Sequence, residues 1–504
     1  MFALPLLFAL ACPLAQAPER PAPFGIQVVD AATGRGVPLV ELRTVEGLHY
    51  VTDSAGWVAF DEPGLLGETN WFFVTSHGYR IEPDGFGYRG VRLDTVPGGR
   101  ARVEIERVNL AERLYRVTGQ GIYRDSLLLG EPVPIEAAAL NGGVLGQDSV
   151  VPVVFGGRIL WFWGDTDRAA YPLGLFEVAG AWSELPDAGG LDPAVGVDLH
   201  YFTGKDGFAR AMCPIDGPGP VWIFGQMVLD VDGTETLFTH YDRRKSLGER
   251  YEHGLARWDP AAETFEKWCE FEVDSRLHPS GQTIRVEDRG KTWFVFPSPY
   301  PHLRVEATLA AVGDSAQYQG YTCLRPGAAL DPDRDPVQRD AEGRVVWGWK
   351  TNTAPLDETR EDELVRRGYL SDAERLTRLR DVETGQRVRA HTGSIRWNPY
   401  RGKWVWILCE TSGRSMLGET WYAEAPDLLG PWSKAQRIVS HDDYSFYNVA
   451  QHDFFAGENG RYVYFEGTYT RMFSGAGTGT ERYDYNQILY RLDLANAGLA
   501  AAQQ

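Results

Sequence analysis

Five times along the chain a glycine turn is followed at once by a run of alternating aromatic and aliphatic residues. The runs are GGRILWFWGDT (156 to 166), GPVWIFGQM (219 to 227), RGKTWFVFPSP (289 to 299), RGKWVWILCET (401 to 411) and NGRYVYFEGTYT (459 to 470). A second short apolar segment precedes each, as at 149 to 155 and 393 to 397, so each pair reads as a β-hairpin whose turn supplies the glycine. A hairpin repeated at blade-like spacing is the sequence mark of a β-propeller. Five units predict a small one, with aromatic faces buried between blades around a central channel and function at one mouth of that channel.

Residues of about 23 to 108 have a different grain. Short alternating segments at 25 to 30, 37 to 44, 57 to 60 and 71 to 76, separated by turns rich in Gly, Asp and Pro, predict a small β-sandwich. The expected fold class is therefore all-β, a small N-terminal β-sandwich followed by a five-bladed β-propeller over 114 to 494. ERLYRVTG (112 to 119) and ILYRLDL (488 to 494) are predicted to pair within one blade, which removes two exposed edges. One long interruption, 325 to 389, separates the third and fourth hairpins. Ser371 and Glu374 make a capping-box pattern before Leu376 and Leu379, which predicts a short helix there. Strand parity places this insertion over the functional mouth, either as a lid or as a decoration of the blade rim.

Composition narrows the setting. Among 504 residues the formal net charge is -19, which argues against nucleic acid or an anionic membrane surface and favours neutral or cationic ligands. FALPLLFALA is too short to span a bilayer and is followed by Ala15-Gln16-Ala17, so residues 1 to 17 read as a signal peptide, although no Lys or Arg precedes the apolar run. Export is expected; Cys12 offers a lipid anchor as the alternative, and no later segment is long and apolar enough to form a transmembrane span. Cys213, Cys269, Cys323 and Cys409 form no CxxC pair, so zinc is not indicated, and both disulfides and buried thiols remain open.

In a four-stranded blade the start of each first strand and the end of each second strand share one face. By that parity Asp148, Arg210, Gln282, His391, His452 and Asp453 start first strands, while Asp165, Glu410 and Glu466 end second strands. Carboxylates and histidines would then converge on one polar cup. Paired carboxylates are what hydrolysis of a glycosidic bond requires, one ionised to activate water and one protonated to release the alcohol. Crowding of like charges raises one of their pKa values. Most of Trp161, Trp163, Trp222, Trp293, Trp404 and Trp406 are expected to pack between blades rather than stack on sugar. His240 with Asp242, and His253, are too separated along the chain to suggest a metal site. SGAGTGT (474 to 480) lacks the lysine of a phosphate loop.

At this point the chain resembles known families. VVDAATGRGVPLVELRT with YVTDSAGWVAF is similar to transthyretin-like, carboxypeptidase-regulatory-like modules, which space or dock rather than catalyse. GQDSVVPVVFGGRILWFWGDT, together with TWYAEAPDLLGPWSKAQRIV (420 to 439), resembles five-bladed propeller glycosidases such as arabinanases, β-xylosidases and invertases. That resemblance implies a glycoside hydrolase of neutral oligo- or polysaccharide, inverting, with Asp148 as general base. It implies that His452 stands near a central calcium ion. The family's middle-blade Asp and Glu are replaced here by Arg210 and Gln282, which leaves Glu466 and Glu410 as candidate acids and Asp165 as pKa modulator or sugar ligand. Arg210, Gln282, His391 and Asp453 are the expected substrate contacts. A non-catalytic propeller that binds glycan or protein, and a phosphorylase or transferase on the same scaffold, are the other readings.

Overall fold

The computed structural model describes residues 21 to 328 and 335 to 503, so the expected signal peptide and Cys12 lie outside the described residues. Nearly every element is a strand. In the N-terminal unit one four-stranded sheet runs Trp57–Phe60, Phe24–Asp30, Arg100–Arg107, Tyr79–Arg80, and another runs His49–Val51, Glu41–Thr44, Thr69–Thr75, Gly90–Asp94. Ile26, Val28 and Val103 of one share a core with Leu42, Phe72 and Val74 of the other. Truncating a side chain such as Phe72, 0% exposed, to alanine would cost about 3 to 5 kcal/mol.

Of the six further sheets among the described residues, the five of four or five strands follow in chain order as antiparallel meanders. The first is Val151–Phe155, Arg158–Trp163, Ala179–Glu184 and His200–Tyr201; the second Val221–Val231, Thr234–Arg244, Arg250–Asp259 and Thr264–Phe271. The third is Ile284–Asp288, Lys291–Phe296, Leu303–Glu306, Gln319–Thr322 and Gly348–Thr351. The fourth is Ala390–Asn398, Lys403–Glu410, Glu419–Ala425 and Trp432–Ser440, with Thr377–Asp381 parallel at its edge. The fifth is Ser445–Gln451, Tyr462–Thr470 and Asn486–Asp493, completed by Glu112–Arg116 from before the first sheet. The predicted pairing of the two chain segments is observed, with Leu489 opposite Tyr115.

The cores join these sheets in a closed cycle, and the period-two alternation of the strands is the reason. On the second strand of the first sheet, Leu160 and Phe162 pack on Val221 and Ile223 of the second sheet. Their neighbours Ile159, Trp161 and Trp163 pack on Leu114, Tyr464 and Leu489 of the fifth. Met227 and Phe238 meet Phe294 and Phe296, linking second to third. Ile284 and Val295 meet Trp406 and Leu408, linking third to fourth. Val405 and Ile407 meet Phe446 and Phe465, linking fourth to fifth. The tryptophans at 161, 163 and 406 are thus packing residues, at most 1% exposed.

The insertion extends sheet edges. Gly348–Thr351 adds an outer strand to the third sheet, Thr377–Asp381 adds one to the fourth, and a small core of Cys323, Leu356, Leu364 and Leu370 lies with them. The capping box at Ser371 and Glu374 is present but heads only a 3-10 turn, Asp372–Glu374; the helix is Glu358–Arg366, capped by the Asp357 carboxylate. The four cysteines of the described residues are free thiols.

Candidate active site

The acidic cup is built where the chain enters the first sheet. The Asp148 amide donates to the Asp165 carbonyl at 3.3 Å and the Gly164 amide donates to the Asp148 carbonyl at 2.8 Å, which holds the two aspartates side by side. A Cβ at Gly164 would lie 2.3 Å from Asp148 Oδ1, so only glycine leaves the carboxylate its place. The Tyr447 hydroxyl, from the fifth sheet, donates to Asp148 Oδ2 at 2.7 Å and the Ser149 hydroxyl at 2.9 Å. Asn448 donates to Ser149 Oγ at 2.6 Å. Both Ser149 (φ 58°) and Asn448 (φ 52°) have left-handed backbone, a strain that persists only where surrounding contacts enforce it.

The electrostatics follow from half-burial of like charges. Burial pushes the Asp148 carboxyl up, opposed by the Tyr447 and Ser149 donors. Burial, then the neighbouring Asp148 charge, pushes Asp165 up to about 6, while the Trp222 indole, donating at 3.2 Å, holds it down. Asp167 is raised by burial and by Asp484. Burial and the charges of Asp148, Asp165 and Asp167 raise the Tyr485 phenol, so it remains an O–H donor. A three-stranded sheet of Val144–Gln147, Thr166–Arg168 and Tyr171–Leu175 carries Asp167, with Asp148 and Asp165 next to the ends of its strands and Tyr171 exposed on it.

Trp222 connects the cup to a second cluster. The Arg244 guanidinium lies 5.6 Å from the Trp222 ring centre and reaches Asp242 Oδ2 at 2.8 Å. Asp242, wholly buried, also takes Arg250 Nε at 2.8 Å, His253 Nδ1 at 3.1 Å and His278 Nε2 at 3.0 Å. Burial opposes its charge, but those donors win and hold the carboxyl far below the usual range. Burial lowers His278 to about 4, so it is neutral at physiological pH. Asp242, His253 and His278 are the one set of three metal-competent side chains brought together among the described residues. Two guanidiniums occupy Asp242 Oδ2, and the Tyr241 carbonyl 3.1 Å from His253 Nδ1 requires a proton on that nitrogen, so the chemistry is that of a hydrogen-bonded hub. Separation along the chain hid this group. Asp242 and His253 face one another across a hairpin, and His278 arrives from the next loop. The alternation of His240 and Asp242 on one strand face was the available signal.

The other predicted residues are scattered. Glu410 does end its strand, and burial raises it to about 7, but it accepts from the Trp421 indole at 2.9 Å and the charges acting on it are Glu419, Arg437 and Asp381. His391 is exposed and meets the neighbouring Thr392 hydroxyl at 3.3 Å. Gln282 donates to the Val150 carbonyl at 3.4 Å and accepts from Arg396 at 3.3 Å, and Arg396 in turn reaches Asp453 at 3.3 Å. Those contacts tie the first, third and fourth sheets to the turn after the fifth sheet's first strand. Among the described residues no hydrogen bond or ion pair joins Glu410, His391 or Arg210 to Asp148 or Asp165.

Three expected placements are corrected. His452 and Asp453 follow the first strand of the fifth sheet, Ser445–Gln451, rather than start it, because the real strand lies one segment earlier and the turn to Tyr462 is long. Arg210 bonds the Ala262 and Glu263 carbonyls, and Glu263 lies 3.6 Å from Arg158, at the end of the first sheet away from Asp165. Glu466 is mid-strand, because Tyr462–Thr470 continues past it; its Oε1 lies 3.3 Å from His452 Nε2, with both residues buried. Trp161, Phe454 and Phe455 surround that imidazole. One imidazole and one carboxylate in an aromatic wall do not fit calcium, which takes six to eight oxygens.

No protein-family model matches the chain, and no curated protein matches it. Solved structures with a similar course include an exo-β-1,3-galactanase from Phanerochaete chrysosporium with galactose, at 10% identity and TM-score 0.37, covering 76% of this chain and 65% of that one. A GH43_1 enzyme from Xanthomonas citri complexed with xylose has 10% identity and TM-score 0.34, covering 71% and 89%. A thermostable family-43 glycoside hydrolase has 11% identity and TM-score 0.32, covering 70% and 90%. At such identities no side chain of those proteins can be assigned to a position here.

Proposed function

We propose that this chain is an exported glycoside hydrolase acting on a neutral oligo- or polysaccharide, with the five sheets as the blades of a propeller and the acidic cup at its mouth. The observation that carries the reading is the backbone-locked Asp148 and Asp165 pair, two half-buried carboxyls that both bind protons more tightly than free aspartate. The Asp148 charge raises Asp165, so the two titrations are coupled. Asp148, with two hydroxyl donors stabilising its anion, is the base that takes a proton from water as the water oxygen attacks the anomeric carbon. Asp165 is the acid that protonates the departing glycosidic oxygen. The bond between that oxygen and the anomeric carbon breaks and solvent resets the two protons; inversion of the anomeric configuration requires the two carboxyls to reach the sugar from opposite faces, which the first anomer formed tests. Tyr447, Ser149 and Trp222 fix both carboxyls before substrate arrives, which removes an orientation cost from the chemical step.

The test is product release by the chain from Pro18 onward on a panel of neutral glycans, with proton NMR of the first anomer formed. Sugar release lost in both Asp148→Asn and Asp165→Asn, with folding intact, supports the reading. Release that survives either substitution removes the corresponding role. Asp148 is already the acceptor of two hydroxyls, the arrangement of a sugar-binding carboxylate as well as of a base. A panel that yields no product but retains glycan on the immobilised wild type, and not on Asp148→Asn, therefore gives a binding propeller.

A further inference from the structure

The connection from Thr470 to Asn486 brings Asp484 and Tyr485 to the cup and contains no regular element longer than a turn. Connections of that length are ordinarily mobile unless something holds them. Arg482 and Tyr485 both have φ of 62°, a left-handed conformation uncommon for residues other than glycine. Its own sheet supplies part of the constraint, and the N-terminal unit supplies the rest. The Tyr483 hydroxyl, on a side chain 3% exposed, donates to the Thr52 carbonyl at 2.7 Å. The Arg116 guanidinium covers the Tyr483 ring at 5.1 Å. Arg482 lies 3.7 Å from Asp125, whose other oxygen accepts from the Ala59 amide at 3.1 Å. His77 Nε2 meets the Tyr469 hydroxyl at 2.9 Å, and that hydroxyl meets Thr480 Oγ1 at 3.2 Å. Residues 480, 482 and 483 are thus each reached, directly or through one side chain, from the N-terminal unit.

The far end of the same segment presses on the cup. A Cβ at Gly146 would lie 2.4 Å from the Tyr485 carbonyl oxygen, so the segment rests on the strand that leads into Asp148. Asn486 donates to the Leu145 carbonyl at 3.2 Å and accepts from Thr118 at 3.0 Å. We propose that the N-terminal unit is a working part of the cup: it clamps residues 480–483 and so sets where Asp484 and the Tyr485 hydroxyl stand against Asp148, Asp165 and Asp167. Tyr483 is then a positioning residue that never touches substrate. In keeping with this, Tyr485 is among the donors that favour the Asp148 anion, and Asp484 is the charge that acts on Asp167.

The rate consequences rest on the hydrolase reading, so the deciding measurement does not use rate. The full chain is labelled with carboxyl-13C aspartate and its carboxyl band is titrated by infrared difference spectroscopy in wild type, Tyr483→Phe, Tyr485→Phe and the double variant. Loss of one hydroxyl donor should strengthen protonation of the cup about two- to tenfold, a shift of the midpoint to higher pH. Both single variants should shift in that direction, and the double variant by no more than the larger single, because the two act through one chain of contacts. Arg35→Lys is the control. Arg35 ties the same unit to the carbonyls of Ala194 and Leu114, so its loss should lower Tm and leave the midpoint in place. Should Tyr483→Phe fail to fold, His77→Gln, which removes the Thr480 anchor, takes its place with the same expected direction. A midpoint unmoved by Tyr483→Phe, or moved equally by Arg35→Lys, overturns the inference. A shifted midpoint in a chain that releases no sugar sinks the hydrolase reading alone.

Discussion

Two buried acidic centres stand on either side of Trp222 and behave in opposite ways. Asp242 is the more deeply buried, yet its carboxyl is held ionised because four side chains donate to it. Asp148 and Asp165 retain more contact with solvent, yet both are pushed toward the protonated form. Burial pushes all three carboxyls up, and the deciding quantity is the number and charge of the donors set against it. A carboxylate with two guanidiniums is a girder, whereas two carboxyls held by neutral donors alone are left raised and able to take up a proton.

Substitutions that exchange the properties of the two centres test this contrast. The largest effect expected is on rate: Asp148→Asn should reduce sugar release by about 10²- to 10⁴-fold with Tm within a few degrees of wild type. A loss under tenfold would make Asp148 a spectator. Next in size is stability. Asp242→Asn leaves Arg244 and Arg250 without their anion and should cost about 3 kcal/mol, read as a lower urea midpoint; an unchanged midpoint would show that the hub holds nothing. The pH dependences should then carry opposite signs. Asp165, raised from 3.8 to about 6, favours the folded chain while protonated, and that contribution is lost as pH rises from about 4 through 6. Asp242, depressed, stabilises above about 4 and loses its contribution as pH falls below that. Asp165→Asn should accordingly gain stability over wild type at pH 7 and Asp242→Asn should lose it, with both differences narrowing in acid. The smallest effect belongs to Trp222→Phe. Removing the indole donor raises Asp165, the proposed acid, and should move the alkaline limb of the rate profile upward by under one pH unit.

Parity along a strand was enough to bring Asp148 and Asp165 together, because each lies within a residue or two of a turn whose glycines are visible in the sequence. The same argument failed at Glu466, since nothing in YFEGTYT marks where the strand stops, and it continues to Thr470. His452 failed for a related reason: the apolar stretch before it, SFYNVAQ, is itself the first strand. Register decides the Asp242 cluster. The partners are 11 and 36 positions away, and a bulge between Phe224 and Met227 shifts the pairing of that long sheet. The docking of the N-terminal unit was out of reach altogether, because Thr52 and Tyr483 are 431 positions apart and meet through a carbonyl, which any residue carries.

The strand Glu112–Arg116 has a consequence in time. Its partner Asn486–Asp493 is made last: Glu112 and Arg491, which form an ion pair in the finished molecule, are 379 positions apart. At about 5 to 20 residues per second of synthesis, Glu112 waits roughly 20 to 75 seconds for that arginine. Through that interval the other four sheets are made one after another, while Glu112–Arg116 has no strand partner. Whatever protects Leu114 and Tyr115 from water and from neighbouring nascent chains must do so before the ring exists, and the N-terminal unit, already synthesised and bonded to Arg113 through the Pro38 and His77 carbonyls, is the part of the protein in place to do it.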